Sequence, residues 1–166
     1  MAKAGLQFSK QDEWLTPDEV WDDILPHIDY DPCTTDAQAK KHGILRYDTI
    51  QTDGLKRDWT QFSTIYVNPP FTRKFEFLKK AVDSIKATKS QRIYFLIPID
   101  SLPTKKFHDV VDDAKYVLIL PNGRIKFDNG SGKSSSPAFG SVILLFSSLG
   151  SSRRVAHIKI NVVKGE

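Results

Sequence analysis

At 166 residues with 40% apolar content, the chain is long enough for one domain over 1–166 and leaves little room for a second. The net charge of +4 suits a polyanionic partner, and the single cysteine excludes an internal disulfide and speaks against a structural zinc site. No apolar run approaches the roughly 18 residues of a membrane span, so a cytoplasmic protein is expected. Residues 1–11 are polar and are expected to be loose.

The first third of the chain predicts a helix over 17–25 with Thr16 as its N-cap, a strand over 28–30 and a helix over 37–42. Thr16-Pro17-Asp18-Glu19 has the pattern of a capping box with proline at the first helical position. Gly43 ends the second helix, which Thr35 or Asp36 would cap. The following stretch up to residue 62 is compact and irregular, and its Trp59 is expected to serve packing.

The rest of the chain predicts strands over 63–67, 93–97, 115–120 and 141–148, helices over 72–87 and 105–113, and an edge strand over 154–163. Apolar side chains at three- and four-residue steps indicate the helices, and short apolar runs indicate buried strands. Residues 124–127 would begin a hairpin arm before a loop rich in Gly and Ser. This order predicts an α/β fold with a mostly parallel sheet, helices on both faces and an antiparallel edge.

Asn68-Pro69-Pro70-Phe71 directly follows the first long apolar run, and these residue types suit chemistry on the amine of a nucleobase. The lone pair of that amine is delocalised into the ring, so acceptors that bind its hydrogens make it more nucleophilic. Asn68 Oδ1 and the Pro69 carbonyl can be those acceptors, and the prolines hold them in place before substrate binds. Phe71 would stack on a base swung out of the duplex. The alternative is an ordinary strand-to-turn connection.

The tetrapeptide resembles the catalytic motif of amino-group methyltransferases, and the whole chain resembles the phage-type DNA N6-adenine methyltransferase family. The stretches that carry the resemblance, in family order, are Asp12-Glu13-Trp14-Leu15-Thr16-Pro17, Asp31-Pro32-Cys33, Asp53-Gly54-Leu55, Asp58-Trp59, the Asn-Pro-Pro-Phe motif, Gly123-Arg124-Ile125-Lys126-Phe127 and Pro137-Ala138-Phe139-Gly140-Ser141. The resemblance implies a shortened Rossmann-like class I methyltransferase fold, S-adenosylmethionine as cofactor, double-stranded DNA as partner and a phage or prophage origin.

The residues that the resemblance assigns to the cofactor are Trp14, Thr16, Pro17, Asp31, Pro32, Cys33, Asp53 and Leu55. The segment around Thr16 would lie beside the methionine part, and Asp53 would accept a hydrogen bond from the adenine amine. Asp31 follows a strand, where a carboxylate is well placed to meet the cofactor's ammonium group. The usual glycine-rich loop is replaced by Cys33-Thr34-Thr35-Asp36. Asp36 and Asp48 are candidates for the ribose contact.

The residues expected to contact DNA are Arg73, Lys74, Arg124, Lys126, Lys133 and Ser141. The basic ones would neutralise phosphates, and Asp100 or Ser101 is a candidate to line the base pocket. Without a separate target-recognition domain, sequence discrimination would come from loops around 71–75, 98–108 and 121–139, or from a dimer partner. No metal is implied.

Two other functions remain open at this point. The same motif chemistry serves cytosine N4 or RNA adenine, so the chain could methylate either. The absence of the glycine-rich loop and the small size also fit a non-catalytic DNA-binding protein that keeps the fold. The biological role, modification against restriction or regulation, is equally open.

Overall fold

The computed structural model of the chain describes residues 15–23, 25–128, 134–135, 140–150 and 154–158. Its helices there are α1 (Asp18–Asp23), α2 (Asp36–Lys41), α3 (Lys74–Ala87) and α4 (Lys105–Val111), with short 3-10 turns at Gly54–Lys56, Trp59–Gln61, Phe71–Arg73 and Ile99–Ser101. Its strands are β1 (Thr64–Val67), β2 (Arg92–Pro98), β3 (Tyr116–Pro121), β4 (Phe127–Asp128), β5 (Ser134–Ser135), β6 (Ser141–Ser147) and β7 (Arg154–Ile158). Among the described residues, no helix combines the length and apolar character needed to cross a bilayer.

The main sheet has the strand order β1-β2-β6-β3-β7. β1 is parallel to β2 and β3 is parallel to β7, whereas β6 is antiparallel to both of its neighbours. Every strand of this sheet except β6 therefore runs in one direction. The predicted antiparallel edge is wrong, because the sheet is mixed and its reversed strand lies inside. The connection from β3 to β6 contains the β4–β5 hairpin, and the chain returns in the opposite direction.

In place of the predicted strand over 28–30, the structure has a short extended segment with single parallel bridges at Tyr30 and Asp31. Tyr30 bridges Ile65 of β1, and on the other side Asp31 bridges Tyr47. The backbone N–H of Asp48 donates to the Asp31 carbonyl over 2.9 Å. Segment 29–31 thus lies between β1 and segment 46–48, and all three run in the same direction.

Alternation along β1 divides the core between the two faces of the sheet. Ile65 and Val67 belong to the larger cluster, which also contains the inward side chains of α3 and α4. Tyr66 belongs to a second cluster, together with Val20 of α1 and Phe127. The helices therefore cover both faces, as predicted.

Local signals in the sequence locate the helix ends well. Thr35 caps α2, since its Oγ1 accepts from the backbone N–H of Gln38 over 3.2 Å, and Gly43 follows with a φ of 66°. α3 begins at Lys74, two residues later than predicted, and a 3-10 turn at Phe71–Arg73 precedes it. The hairpin arm is confirmed where Phe127 pairs with Ser135.

A close backbone contact holds the stretch around Gly54 against the end of segment 29–31. A Cβ atom at Gly54 would lie 2.1 Å from the Pro32 carbonyl oxygen, so this approach requires glycine. The Gly54 carbonyl accepts from Nε1 of Trp59 over 2.8 Å, and the Trp59 side chain is buried. The prediction that Trp59 serves packing is confirmed.

Candidate active site

A cavity of about 280 Å³ lies where segments 46–48, 29–31 and β1 end. Since the carboxyl ends of adjacent parallel strands meet at one edge, residues distant in sequence come together there. The predicted cofactor residues that line the cavity are Thr16, Asp31, Pro32, Cys33 and Asp53. Asn68 and Pro70 of the predicted catalytic motif complete the same wall.

The remaining predicted residues of this group lie elsewhere. The Pro17 carbonyl accepts from the Val20 N–H at the start of α1, and Leu55 packs against the larger core cluster. Pro69 is half-buried between Asn68 and the cavity-lining Pro70, and Phe71 is 42% exposed. Trp14 falls outside the described residues.

The side chain of Asn68 is oriented by a hydrogen bond to Thr16, which is itself bonded to Tyr66. Asn68 Nδ2 donates to Thr16 Oγ1 over 3.1 Å, and Thr16 Oγ1 lies 2.7 Å from the buried hydroxyl of Tyr66. Because Nδ2 faces Thr16, the side-chain oxygen Oδ1 is directed away from it. Thr16 was expected to cap α1, but its hydroxyl makes these two contacts at the cavity wall. The interaction joins a residue before α1 to the end of β1.

The acidic end of segment 29–31 is buried and is tied to the Asn68 backbone. Asp31 is 2% exposed, and burial raises the pKa of its carboxyl to about 7, against the opposing effect of the Cys33 N–H that donates to Oδ1 over 3.0 Å. Burial, and then the charge of Asp31, raises the pKa of the Cys33 thiol. The protonated thiol donates to the Asn68 carbonyl over 3.1 Å.

Asp53 and Arg73 form an ion pair in the cavity wall. Arg73 Nη1 lies 3.3 Å from Asp53 Oδ1, and both side chains are less than a fifth exposed. Oδ1 of Asp53 also accepts from the N–H of Leu55. Arg73 was expected on the DNA surface, and the structure places it beside the predicted adenine-binding aspartate.

Of the two carboxylates considered for the ribose, Asp36 lines the cavity and accepts from the Tyr47 hydroxyl over 2.8 Å. Asp48 is buried in a network with Tyr30 and Arg57. Although burial acts to raise the pKa of Asp48, the hydrogen bonds from Arg57 and Tyr30 hold it below its usual value. Asp48 therefore stabilises the fold.

The indole of Trp21 also lines the cavity and was not anticipated from the sequence. Its ring stacks on His42 with 4.3 Å between centroids and meets the edge of Tyr66. Trp21 Nε1 is the buried side-chain polar atom without a hydrogen-bond partner in the described part of the chain. Such a donor is costly to leave unpaired.

Comparison with known proteins bears on this cavity. The sequence profile described as DNA N-6-adenine-methyltransferase (Dam) matches residues 3–164. The chain belongs to this family. It is also similar to the DNA N-6-adenine-methyltransferase of Escherichia phage T1, with 28% identity over 95 residues. That match covers 55% of this chain and 37% of the phage protein, so the chain spans just over a third of that relative.

Among the described residues of this Dam family member that were predicted to meet DNA, Arg73 lines the cavity and the others lie outside it. Arg124 and Lys126 are exposed and alternate with buried Ile125 and Phe127, so they project from an anchored arm. Ser141 is buried as the first residue of β6, where it pairs with Pro98. The predicted residue Lys133 is outside the described residues.

Asp100 and Ser101 follow β2 in a 3-10 turn at the same edge of the sheet as Asn68. Asp100 is exposed and Ser101 is buried. Within the described ranges, no group of three His, Cys, Asp or Glu side chains could hold a metal ion.

The sequence held one usable signal for the Tyr66 contact. Tyr66 stands two positions before Asn68, and side chains two apart on a strand share a face. The sequence could therefore have predicted that the Tyr66 hydroxyl lies on the same side of the chain as the Asn68 amide. The partner, Thr16, is 50 positions from Tyr66, and only the fold brings it there.

Proposed function

We propose that the protein is an S-adenosylmethionine-dependent DNA methyltransferase that acts on N6 of an adenine flipped out of double-stranded DNA. The observation that carries this proposal is the Asn68 amide, oriented at the wall of a cavity that also contains the buried carboxylate of Asp31. The family profile and the phage T1 relative support the same reaction.

We further propose that the sheet is a shortened Rossmann-like class I core. Three adjacent parallel segments end at the cavity, and ligands in open α/β sheets bind at such carboxyl ends. The one reversed strand lies away from the cavity, between β2 and β3. The mixed sheet is therefore compatible with a cofactor site at this edge.

The residues present fit the cofactor. Asp31 can pair with its ammonium group, and the indole of Trp21 can pack against it. Asp53 can accept from the adenine amine, while Asp36 is the cavity carboxylate available to the ribose. When bound, S-adenosylmethionine supplies the reactive methyl group.

The protein's own contribution is positioning. Asn68 Oδ1 and the Pro69 carbonyl would accept the two hydrogens of the adenine amine, which directs its lone pair towards the cofactor. The bonds among Asn68, Thr16 and Tyr66 exist before substrate arrives, so little reorganisation is needed. Phe71 follows the cavity-lining Pro70, is largely exposed, and would stack on the flipped base.

Mass spectrometry of nucleosides tests the proposal. Unmethylated double-stranded DNA is incubated with the protein and S-adenosylmethionine, in parallel with Asn68→Ala. The parent should form N6-methyladenine, and the variant should lose on the order of 100-fold or more in turnover. Calorimetry with S-adenosylhomocysteine should give similar affinities for both proteins, since the variant keeps Asp31 and Trp21.

The outcomes separate the alternatives. Methylcytosine, or methylation of RNA alone, would move the assignment to the other methyltransferases. DNA binding without any methylated base would support the non-catalytic reading. Unchanged turnover in Asn68→Ala would refute the role of Asn68 and leave the reaction itself intact.

A further inference from the structure

Two lysine side chains from different helices share the ring of Phe75. Lys74 Nζ lies 5.0 Å from the centre of that ring, and Lys106 Nζ lies 5.1 Å from it. Lys74 begins α3 and Lys106 is the second residue of α4. Lys106 is exposed and stands 32 positions from Lys74, so the fold alone brings the two charges together.

Two like charges near one ring raise the free energy of the free protein unless an anion joins them. In the described part of the chain, neither Lys74 nor Lys106 forms an ion pair with a carboxylate, whereas neighbouring Lys105 pairs with Asp109 at 2.6 Å. Burial, and then the charge of Lys106, lowers the pKa of Lys74. The arrangement therefore favours an anionic ligand.

The position of the pair points to the class of anion. Lys74 Nζ lies 4.0 Å from the centre of the Phe71 ring and donates to the Phe71 carbonyl over 3.4 Å. Phe71 is the residue proposed to stack on the flipped adenine. The phosphates of a nucleotide are one sugar away from its base, so the backbone of that nucleotide would pass close to Lys74.

We infer that Lys74 and Lys106 form a phosphate-binding pair that holds the DNA backbone beside the flipped adenine. The inference rests on the proposed function. Cation–π contacts with Phe71 and Phe75 already restrict the two ammonium groups, so less side-chain freedom is lost when phosphate binds. The pair adds Lys106, from α4, to the DNA surface.

The salt dependence of DNA binding tests the pair without knowledge of the recognition sequence. Binding of a fluorescent mixed-sequence DNA duplex is followed by anisotropy over a range of salt concentrations. Each lost phosphate contact should reduce the slope of log K against log salt by about 0.9. Lys106→Gln should show one such reduction, and the double variant with Lys74→Gln should show about twice that.

Lys105→Gln is the matched control, since it removes the same charge one position away from a side chain already paired with Asp109. It should keep the parent slope, and Lys106→Arg should also keep it. Thermal unfolding of each variant checks the fold; Lys105 and Lys106 are exposed, whereas Lys74 is half-buried.

Equal slopes for Lys106→Gln and Lys105→Gln would overturn the pair while leaving the methyltransferase proposal untouched. Failure of the parent itself to bind DNA would overturn the proposed DNA substrate and the pair together. The two failures are thus distinguished by the parent protein.

Discussion

The orientation of Asn68 depends on a residue two positions before it. Tyr66 of β1 and Asn68, which directly follows the strand, both reach Thr16 Oγ1. Burial raises the pKa of Tyr66 well above its usual value, against the opposing effect of its bond to Thr16, so the phenol stays protonated. Tyr66 is therefore a positioning residue that acts on the amide through Thr16.

Tyr66→Phe removes only the hydroxyl from this arrangement. A net hydrogen bond contributes about 1 kcal/mol, so turnover should fall roughly fivefold as the Asn68 amide loses its fixed orientation. The affinity for S-adenosylhomocysteine should change little, because Asp31 and Trp21 remain. Steady-state kinetics measures the turnover, and calorimetry measures the affinity for S-adenosylhomocysteine.

Tyr94→Phe is the matched control for that change. Tyr94 lies directly opposite Tyr66 on β2, and the substitution removes the same atom. Its turnover should equal that of the parent. Thr16→Ser keeps a hydroxyl and should retain activity, whereas Thr16→Val removes the acceptor of Asn68 Nδ2 itself and should lose at least as much as Tyr66→Phe. A fivefold loss in Tyr94→Phe as well would assign the effect to the sheet and not to Asn68.

At the scale of elements, local chemistry predicted the helices and non-local pairing decided the sheet. The ends of α2 follow from a threonine cap and a glycine, both visible within a few residues. β6 was recognisable as an apolar run, but its place between β2 and β3 depends on hydrogen bonds with both. Composition does not encode that direction, which is why the predicted edge was wrong.

The contact between Gly54 and Pro32 connects two of the motifs that form the cavity. Gly54→Ala would bring a Cβ atom within 2.6 Å of Pro32 Cβ and closer still to its carbonyl oxygen. We expect a loss of about 1–3 kcal/mol in the free energy of unfolding, because backbone must move to relieve the overlap. Urea denaturation measures this change.

Gly140→Ala is the control for that prediction. A Cβ atom there would meet Ile99 at 3.7 Å, an ordinary contact, so stability should be close to that of the parent. If Gly54→Ala were as stable as Gly140→Ala, the two motifs would not be held by this close approach.

For the whole molecule, the sequence located part of the cavity wall, because some motif residues follow strands whose carboxyl ends meet. Asp31 and Asn68 were found in this way. Trp21 and the ion pair between Arg73 and Asp53 were not, since a helix face and a contact across 20 positions depend on tertiary packing. Positive charge alone does not predict the partner of Arg73. It was expected to bind DNA phosphate, and in the structure it pairs with the carboxylate of Asp53.

The buried carboxyl of Asp31 makes the stability of the molecule depend on pH. Burial raises its pKa from 3.8 to about 7, with the Cys33 N–H opposing the shift. At a pH between these two pKa values, Asp31 is protonated in the folded protein and ionised in the unfolded chain. The folded form binds more protons in this window, so the free energy of unfolding that Asp31 contributes falls as pH rises through it.

Asp31→Asn should remove that contribution, because the amide does not titrate. We expect the parent to lose stability relative to the variant as pH rises from about 4 to about 7, in urea denaturation at matched salt. Saturating S-adenosylhomocysteine, whose ammonium group favours the ionised carboxyl, should stabilise the parent more at the upper end of this window and should stabilise the variant far less. If the free energies of unfolding of the two proteins changed with pH in parallel, Asp31 would be ionised in the folded protein across this window. Asp31 would then not be the group that couples cofactor binding to pH.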